Sequence, residues 1–423
     1  MTTKTAVDSY TTLSHTLADL FALDRDRIDV EPATGAALEI HVREFLSQNW
    51  RVHPAESEDN TDPAFRKVVG DYIERLPYSE RNFFGRLQPS DRDVPENLRF
   101  RYPVFVPRNG RPARGFDRAT VLLHGLNEKS WQKYLPWAHR LAEQTARPVI
   151  LFPLAFHMNR APRAWSNPRE MIGVSHERKR LFPEIRESSF VNAALSHRIQ
   201  FAPHRFLTSG LQSYYDITDM VRDIRGGGSD LFAEGARVDV FGYSIGATLT
   251  ELLLLSDPAG LFEDSRAFLF CGGAVMDRTL PVSKAIIDSA AYDGMVSFFE
   301  RLMGDAGQAL PRSVEVIRAG RWEVEVAKSL LFTDRLRPLR ERAMRAVGNR
   351  MIALGMMKDR VFPPSGIAES CQTTGGEELI QTAAADPSYD YTHECPFPLD
   401  TADHDEVERF FGEVMARAVE HLQ

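Results

Sequence analysis

The feature that most constrains this chain is the pentapeptide Gly242-Tyr243-Ser244-Ile245-Gly246, set between the apolar run VDVF and the helix-like ATLTELLLL. An apolar run of strand length, a turn closed by glycines and an apolar helical segment describe a strand passing sharply into a helix. The glycines imply that flanking side chains would collide with the strand and helix, and that the serine is held in a strained conformation. Its Oγ would stand at the carboxyl edge of a sheet. The bland reading is an ordinary βα turn; the strand and helix context favours a reactive serine.

The sheet is readable around it. ATVLLHG (119–125), RPVILFPL (147–154), RVDVFGYS (237–244), RAFLFCGG (266–273) and RMIALGM (350–356) are short apolar runs with helical patterns between most of them. Strands buried on both faces have this texture, so a mostly parallel, doubly wound α/β sheet is expected. LRFRYPVFVP followed by RNGRP reads as an edge hairpin, and a last strand is expected near EELIQTA. Residues 1–95 read as an amino-terminal helical extension: Leu17, Leu20 and Phe21, and later Val42, Phe45 and Leu46, fall at helical spacings around the polar loop HPAESEDNTDP. Residues 96–423 would then form the main domain. Within it, the intervals 155–207 and 275–347 are too long for simple crossovers and suit caps over the sheet edge.

Composition narrows the function classes. Of 423 residues, 51 are basic and 59 acidic, for a net charge of −8, with no basic run of the kind that phosphate-backbone binding needs. Nucleic acid is therefore not an expected partner. Cys271, Cys371 and Cys395 lack paired metal or redox spacing and fit a reducing cytoplasm. The first residues, MTTKTAVDSYTTLSHTLADLF, contain no uninterrupted apolar core, and no stretch approaches the ~18 apolar residues of a membrane span. No H-E-x-x-H motif or Cys/His pairing suggests a metal, and Gly226, Gly227 and Gly228 lack the Lys-Ser/Thr ending of a phosphate loop. No cofactor is expected.

A serine hydroxyl is a weak nucleophile at neutral pH, so it needs an imidazole within reach and a carboxylate to orient that imidazole. After a strand-turn-helix serine the chain order is acid, then histidine. Asp359, in RMIALGMMKDRVFPP, lies just beyond the penultimate strand and is the favoured acid. Asp277 is the alternative, and Asp334 sits among charged helical residues. Of the later histidines, His421 would complement the end of the last helix and His404 would pack or cap at its start. His393, in the Pro-interrupted loop YDYTHECPFPLD, is the favoured base. Two backbone N–H groups should receive a developing oxyanion: Ile245, and Leu126 in the loop after VLLHG, with Asn127 next.

LLHGLN, GYSIGA, the loop GMMKDRVFPP and a histidine loop before a terminal helix together resemble the α/β-hydrolase superfamily, over residues 97–423. The resemblance implies an eight-stranded core and a serine hydrolase acting on a carboxylic ester or related small acyl substrate through an acyl-enzyme. The absence of a lipase-like HGGG run points to a little-characterised branch with large caps. An amidase, peptidase or acyltransferase would use the same residues. A catalytically silent binder would use only the cleft. In the first insertion, His157, Arg160, Arg163, Trp165 and Arg169 could roof an anionic acyl group or form a solvated cap face.

Overall fold

The computed structural model describes residues 9–53, 87, 89–110, 112–304, 314, 317 and 320–423. Nine strands form one sheet: β1 (Arg27–Asp29), β2 (Leu38–Leu46), β3 (Arg99–Pro107), β4 (Phe116–Leu123), β5 (Val149–Leu151), β6 (Phe232–Tyr243), β7 (Ala267–Phe270), β8 (Met351–Met356) and β9 (Gln381–Ala385). Their spatial order is β1-β2-β3-β5-β4-β6-β7-β8-β9. Strands β4 to β9 run parallel, while β1, β2 and β3 pair antiparallel and β3 meets β5 antiparallel. Apart from the added amino-terminal edge strand, this is the strand order of the α/β-hydrolase fold.

The longer helices are α1 (Tyr10–Leu20), α2 (Leu135–Thr145), α3 (Pro168–Leu181), α4 (Ala193–Phe201), α5 (Arg205–Arg225), α6 (Ile245–Ser256), α7 (Ser289–Met303), α8 (Trp322–Ser329), α9 (Arg337–Val347), α10 (Pro364–Ser370) and α11 (His404–Leu422). Because side chains alternate across a strand, the parallel strands feed two cores. Ala119, Val121, Leu123, Val238, Val240 and Leu269 pack toward α5 and α6. Leu122, Phe241, Phe268 and Phe270 point the other way, toward α1, α2 and α11. Both faces of the central strands are covered, which is why these strands read as largely apolar runs rather than strictly alternating ones. Each fully buried Leu or Phe contributes roughly 1.5–3 kcal/mol relative to exposure.

Two sequence expectations are corrected. Val42, Phe45 and Leu46 belong to strand β2, which pairs with β3 over nine residues from Leu38↔Pro107 to Leu46↔Arg99. In so short a window, their i, i+3 and i+4 positions fit a helical pattern although the backbone is extended. Helix is found in α1, but the segment that follows contributes two strands to the main sheet. The polar loop read after His53 lies outside the described residues. The hairpin expected at RNGRP does not form either. β3 lies between β2 and β5, and the chain crosses from it to β4, which pairs with β5 and β6.

The order of the strands sets the location of the site. From β4 the chain moves outward to β5, then returns past β4 to β6, so successive connections leave in opposite directions between β4 and β6. A crevice opens beyond the carboxyl ends of strands at such a switch point. β4 and β6 are neighbours in register from Arg118↔Arg237 to Leu123↔Gly242. Their carboxyl ends therefore deliver His124-Gly125-Leu126 and Ser244 side by side.

One buried carboxyl lies in the adjoining helix. Glu251 of α6 is 1% exposed, and burial pushes its carboxyl up to about 8, partly offset by Arg340. A folded-state pKa above the unfolded one means the folded protein holds the extra proton. That stabilisation is complete below the ordinary carboxyl range and is lost as pH rises through about 8. Glu251→Gln should therefore gain stability relative to the natural protein on going from pH 6 to pH 9. Urea midpoints for both proteins at the two pH values test this; a constant difference would mean Glu251 does not titrate in that window.

Candidate active site

The site is built from the turn at Ser244. The residue lies at φ 58° and ψ −124°, a left-handed conformation that a non-glycine residue adopts only when its surroundings force it. Two glycines make that possible. A Cβ at Gly246 would lie 2.7 Å from the Leu123 carbonyl carbon and 2.8 Å from the His124 oxygen. One at Gly242 would lie 2.6 Å from Ala247 Cα. Ser244 N–H donates to Phe270 O at 3.1 Å, tying the turn to β7 as well.

His393 Nε2 lies 2.7 Å from Ser244 Oγ, and His393 Nδ1 lies 2.8 Å from Asp359 Oδ2. All three side chains are buried. Asp359 is itself fixed by a turn: its Oδ1 accepts from the Val361 and Phe362 N–H groups at 2.8 and 2.9 Å. That leaves Oδ2 for the imidazole, so His393 donates from Nδ1 and presents the Nε2 lone pair to the serine O–H. The imidazole is sandwiched between the rings of Tyr243 and Phe362, each 5.6 Å away and within 18° of parallel. Tyr243 Oη also donates to the His393 carbonyl oxygen. The sequence reading missed both clamps, although Tyr243 occupies the variable position of the turn motif.

Leu126 and Ile245 flank the serine from β4 and α6. Neither backbone N–H has a hydrogen-bond partner among the described residues. The Leu126 loop is rigidly held. His124 donates from Nδ1 to Gly125 O at 2.8 Å, and its Nε2 accepts from Leu154 N–H at 3.0 Å. Burial lowers the His124 pKa to about 3, so this ring is a neutral brace. Gly125 N–H donates to Tyr134 Oη, which donates to Glu128 at 2.7 Å. Asn127, at φ 63°, uses its side-chain amide on Val191 O and Ala285 O, at 3.1 and 2.5 Å.

That amide reaches both long insertions, and they are bound to each other. Arg178 of α3 makes a bidentate pair with Asp288, which caps α7, at 2.6 and 2.7 Å. Ser283 Oγ donates to Glu394, next to His393, at 2.6 Å.

The remaining candidates are engaged elsewhere. Asp277 accepts from Thr333 N–H and Oγ–H at 2.9 and 2.7 Å, and the Asp334 side chain is exposed. His404 is exposed at the start of α11, where its Nδ1 is 3.3 Å from Thr11 Oγ1; the expectation that it packs in line with Val407 is wrong. His421 donates to Arg350 O at 3.0 Å, and burial lowers its pKa, so it is a neutral donor rather than a helix-end cation. Of the two readings of the first insertion, the cationic roof is not formed. Arg160 is fully buried, paired to Asp216 at 2.6 Å and bonded to Asn97, while Trp165 is buried under Arg198. Arg163 and Arg169 are exposed.

A family model described as a family of unknown function, DUF6051, matches residues 9–423. The chain belongs to DUF6051. No curated protein matches it. Among solved structures, this DUF6051 chain is similar to a Pyrobaculum calidifontis esterase, at 13% identity over 88% of this chain and 99% of that one, with a TM-score of 0.39. A peroxisomal alpha-beta-hydrolase from Saccharomyces cerevisiae matches at 14% identity over 92% and 90%, with a TM-score of 0.43. An esterase from Pyrococcus furiosus matches at 12% identity over 76% and 86%, with a TM-score of 0.36. None of the three reaches 0.5, so the fold of the DUF6051 chain rests on its own strand order. Among the described residues, no helix is long and apolar enough to cross a membrane.

The contacts at Gly246 give a direct test of the turn. Because the atoms in the way are backbone, they cannot swing aside, and overpacking of this kind costs about 1–3 kcal/mol or more. Gly246→Ala should lower the urea midpoint accordingly. A variant as stable as the natural protein would show that the turn is not close-packed.

Proposed function

We propose that the protein is a serine hydrolase acting on a carboxylic ester or related small acyl substrate, with Ser244 as nucleophile, His393 as general base and acid, and Asp359 as the orienting carboxylate. One observation carries this reading: the imidazole bridges Ser244 Oγ and Asp359 at 2.7 and 2.8 Å beneath a strained strand-turn-helix serine. A structural serine requires neither the strain nor the aligned base.

In the proposed reaction, His393 Nε2 takes the proton as Ser244 Oγ bonds to the substrate carbonyl carbon. The carbonyl oxygen becomes an oxyanion that accepts from the Leu126 and Ile245 N–H groups, a stabilisation worth several kcal/mol where water is excluded. The carbon–oxygen bond to the leaving group then breaks as that group receives the proton from His393. Water repeats the sequence on the acyl-enzyme, releasing the acid and restoring Ser244. Asp359 holds the productive tautomer and stabilises the imidazolium. The two insertions, locked through Arg178, Asp288 and Asn127, act as a fixed roof in this reading. We place the protein in a reducing compartment such as the cytoplasm, where its three free cysteines persist as thiols.

Ser244→Ala should lower turnover of acyl esters about a thousandfold or more without loss of stability, and should abolish labelling by a fluorophosphonate. Labelling of the natural protein at another residue, or none with the fold intact, would sink the proposal. His393→Ala should likewise remove activity, while His404→Ala leaves both rate and melting temperature near those of the natural protein. Leu126 acts through its backbone, so Leu126→Ala should slow turnover far less than Ser244→Ala. Equal losses in kinetic assays would mean that another loop supplies the oxyanion donor.

A further inference from the structure

Thr392, His393, Glu394 and Cys395 close a turn of their own, in which Cys395 N–H donates to Thr392 O at 3.2 Å. His393 and Glu394 are its two central residues. The turn bond fixes their shape relative to each other but not the position of the turn relative to Ser244. That position depends on what holds the two central carbonyls. The first is held from β6, since Tyr243 Oη donates to His393 O. The second is held by a cation: Lys133 Nζ donates to Glu394 O at 3.0 Å.

Lys133 lies just before α2, and its side chain is 20% exposed. An ammonium has three donors. Besides Glu394 O, this one pairs with the Glu128 carboxylate. The same Glu128 oxygen accepts from Tyr134 Oη at 2.7 Å, and Tyr134 Oη accepts at 3.0 Å from the N–H of Gly125, directly before Leu126. The ammonium also lies 4.9 Å from the ring centroid of Tyr243 and 5.1 Å from that of Tyr134, within the range at which a cation is drawn to a ring face. Tyr243 is the ring that stacks on the His393 imidazole. An ion pair that served only its own loop would be complete with Glu128. The further bond, to a carbonyl 261 positions away, joins the Leu126 loop to the His393 turn.

We propose that Lys133 is a positioning residue: its ammonium latches the His393 turn to the Leu126 loop and thereby holds the imidazole in line with Ser244 Oγ. The effect on rate rests on the hydrolase reading; the latch itself does not. Lys133 takes no part in bond making. Without the ammonium, Glu394 O and the Glu128 carboxylate lose their shared donor, and the turn is held by Tyr243 and Ser283 alone. Misplacing a reacting group by about 1 Å can cost on the order of a hundredfold in rate.

Lys133→Met keeps an unbranched side chain and removes the donors. For para-nitrophenyl acetate, kcat should fall about tenfold to a hundredfold while KM stays within roughly twofold. Lys133→Arg, which restores a cation with donors for both acceptors, should recover most of kcat. A second readout needs no turnover. The His393 Nδ1–H held by Asp359 should give a far-downfield proton NMR resonance, assigned by its absence in His393→Gln. Exchange with water should broaden or remove it in Lys133→Met, and Lys133→Arg should restore it. Urea midpoints establish folding, and Lys133→Gln is measured in the same way if Lys133→Met does not fold. Loss and return of the resonance in a protein that turns over no ester and takes no fluorophosphonate would support the latch while removing the hydrolase reading. An unchanged kcat and resonance in the folded variant, a change confined to KM, or a loss that Lys133→Arg does not recover would overturn the proposal. So would a natural protein with neither resonance nor turnover.

Discussion

Three backbone segments close on the turn at Ser244, and two of them leave no room for a Cβ at its flanking Gly242 and Gly246. The end of β4, the first turn of α6 and the end of β7 all touch the strand-to-helix turn, through Leu123, Ala247 and Phe270. That close approach forces the left-handed backbone at Ser244, and it also sets two parallel strands side by side with their carboxyl ends level. The serine hydroxyl, the Leu126 N–H and the Ile245 N–H are consequences of one packing arrangement. Sterics of the main chain place them, and the side chains around them add recognition.

Much of this arrangement was legible in the sequence because its signals are local. β7 and β8 are each announced by four or more consecutive apolar residues and β4 and β6 by shorter apolar runs, and Ser244, Asp359 and His393 each follow an element that can be recognised by itself. What was not legible depends on partners distant along the chain. Leu38–Leu46 pairs with β3, and although Leu38, Ile40 and Val42 alternate with polar residues as in a strand, the spacing of Val42, Phe45 and Leu46 also fits a helix, and only the distant neighbour decides between them. Arg160 looked like a surface cation until Asp216 and Asn97, each more than fifty residues away, were placed against it. His404 misled in the opposite sense: its spacing from Val407 suggested burial, but the first turn of a helix can leave the core face while the periodicity continues.

The two insertions differ from independent flaps in how they are fastened. The Arg178–Asp288 pair is desolvated on both sides, a geometry in which removing either partner strands a buried charge. Asn127 extends the same network to the loop that holds Leu126, and Ser283 extends it to the histidine loop. Roof and reaction centre therefore share hydrogen bonds rather than merely a surface. Displacing an insertion would disturb the Leu126 loop and the His393 loop together.

The bond from Tyr243 to the His393 carbonyl joins residues 150 positions apart in the chain, between the strand that ends at Ser244 and the loop that carries His393. Contacts of such long range form late, after shorter loops have closed. A nascent or partly folded chain can therefore possess the turn at Ser244 while the imidazole is still unplaced. In that state the hydroxyl has no proton acceptor and is chemically inert. In the proposed reaction, the chain becomes able to attack a carbonyl only when its carboxyl-terminal third has docked, so competence reports completion.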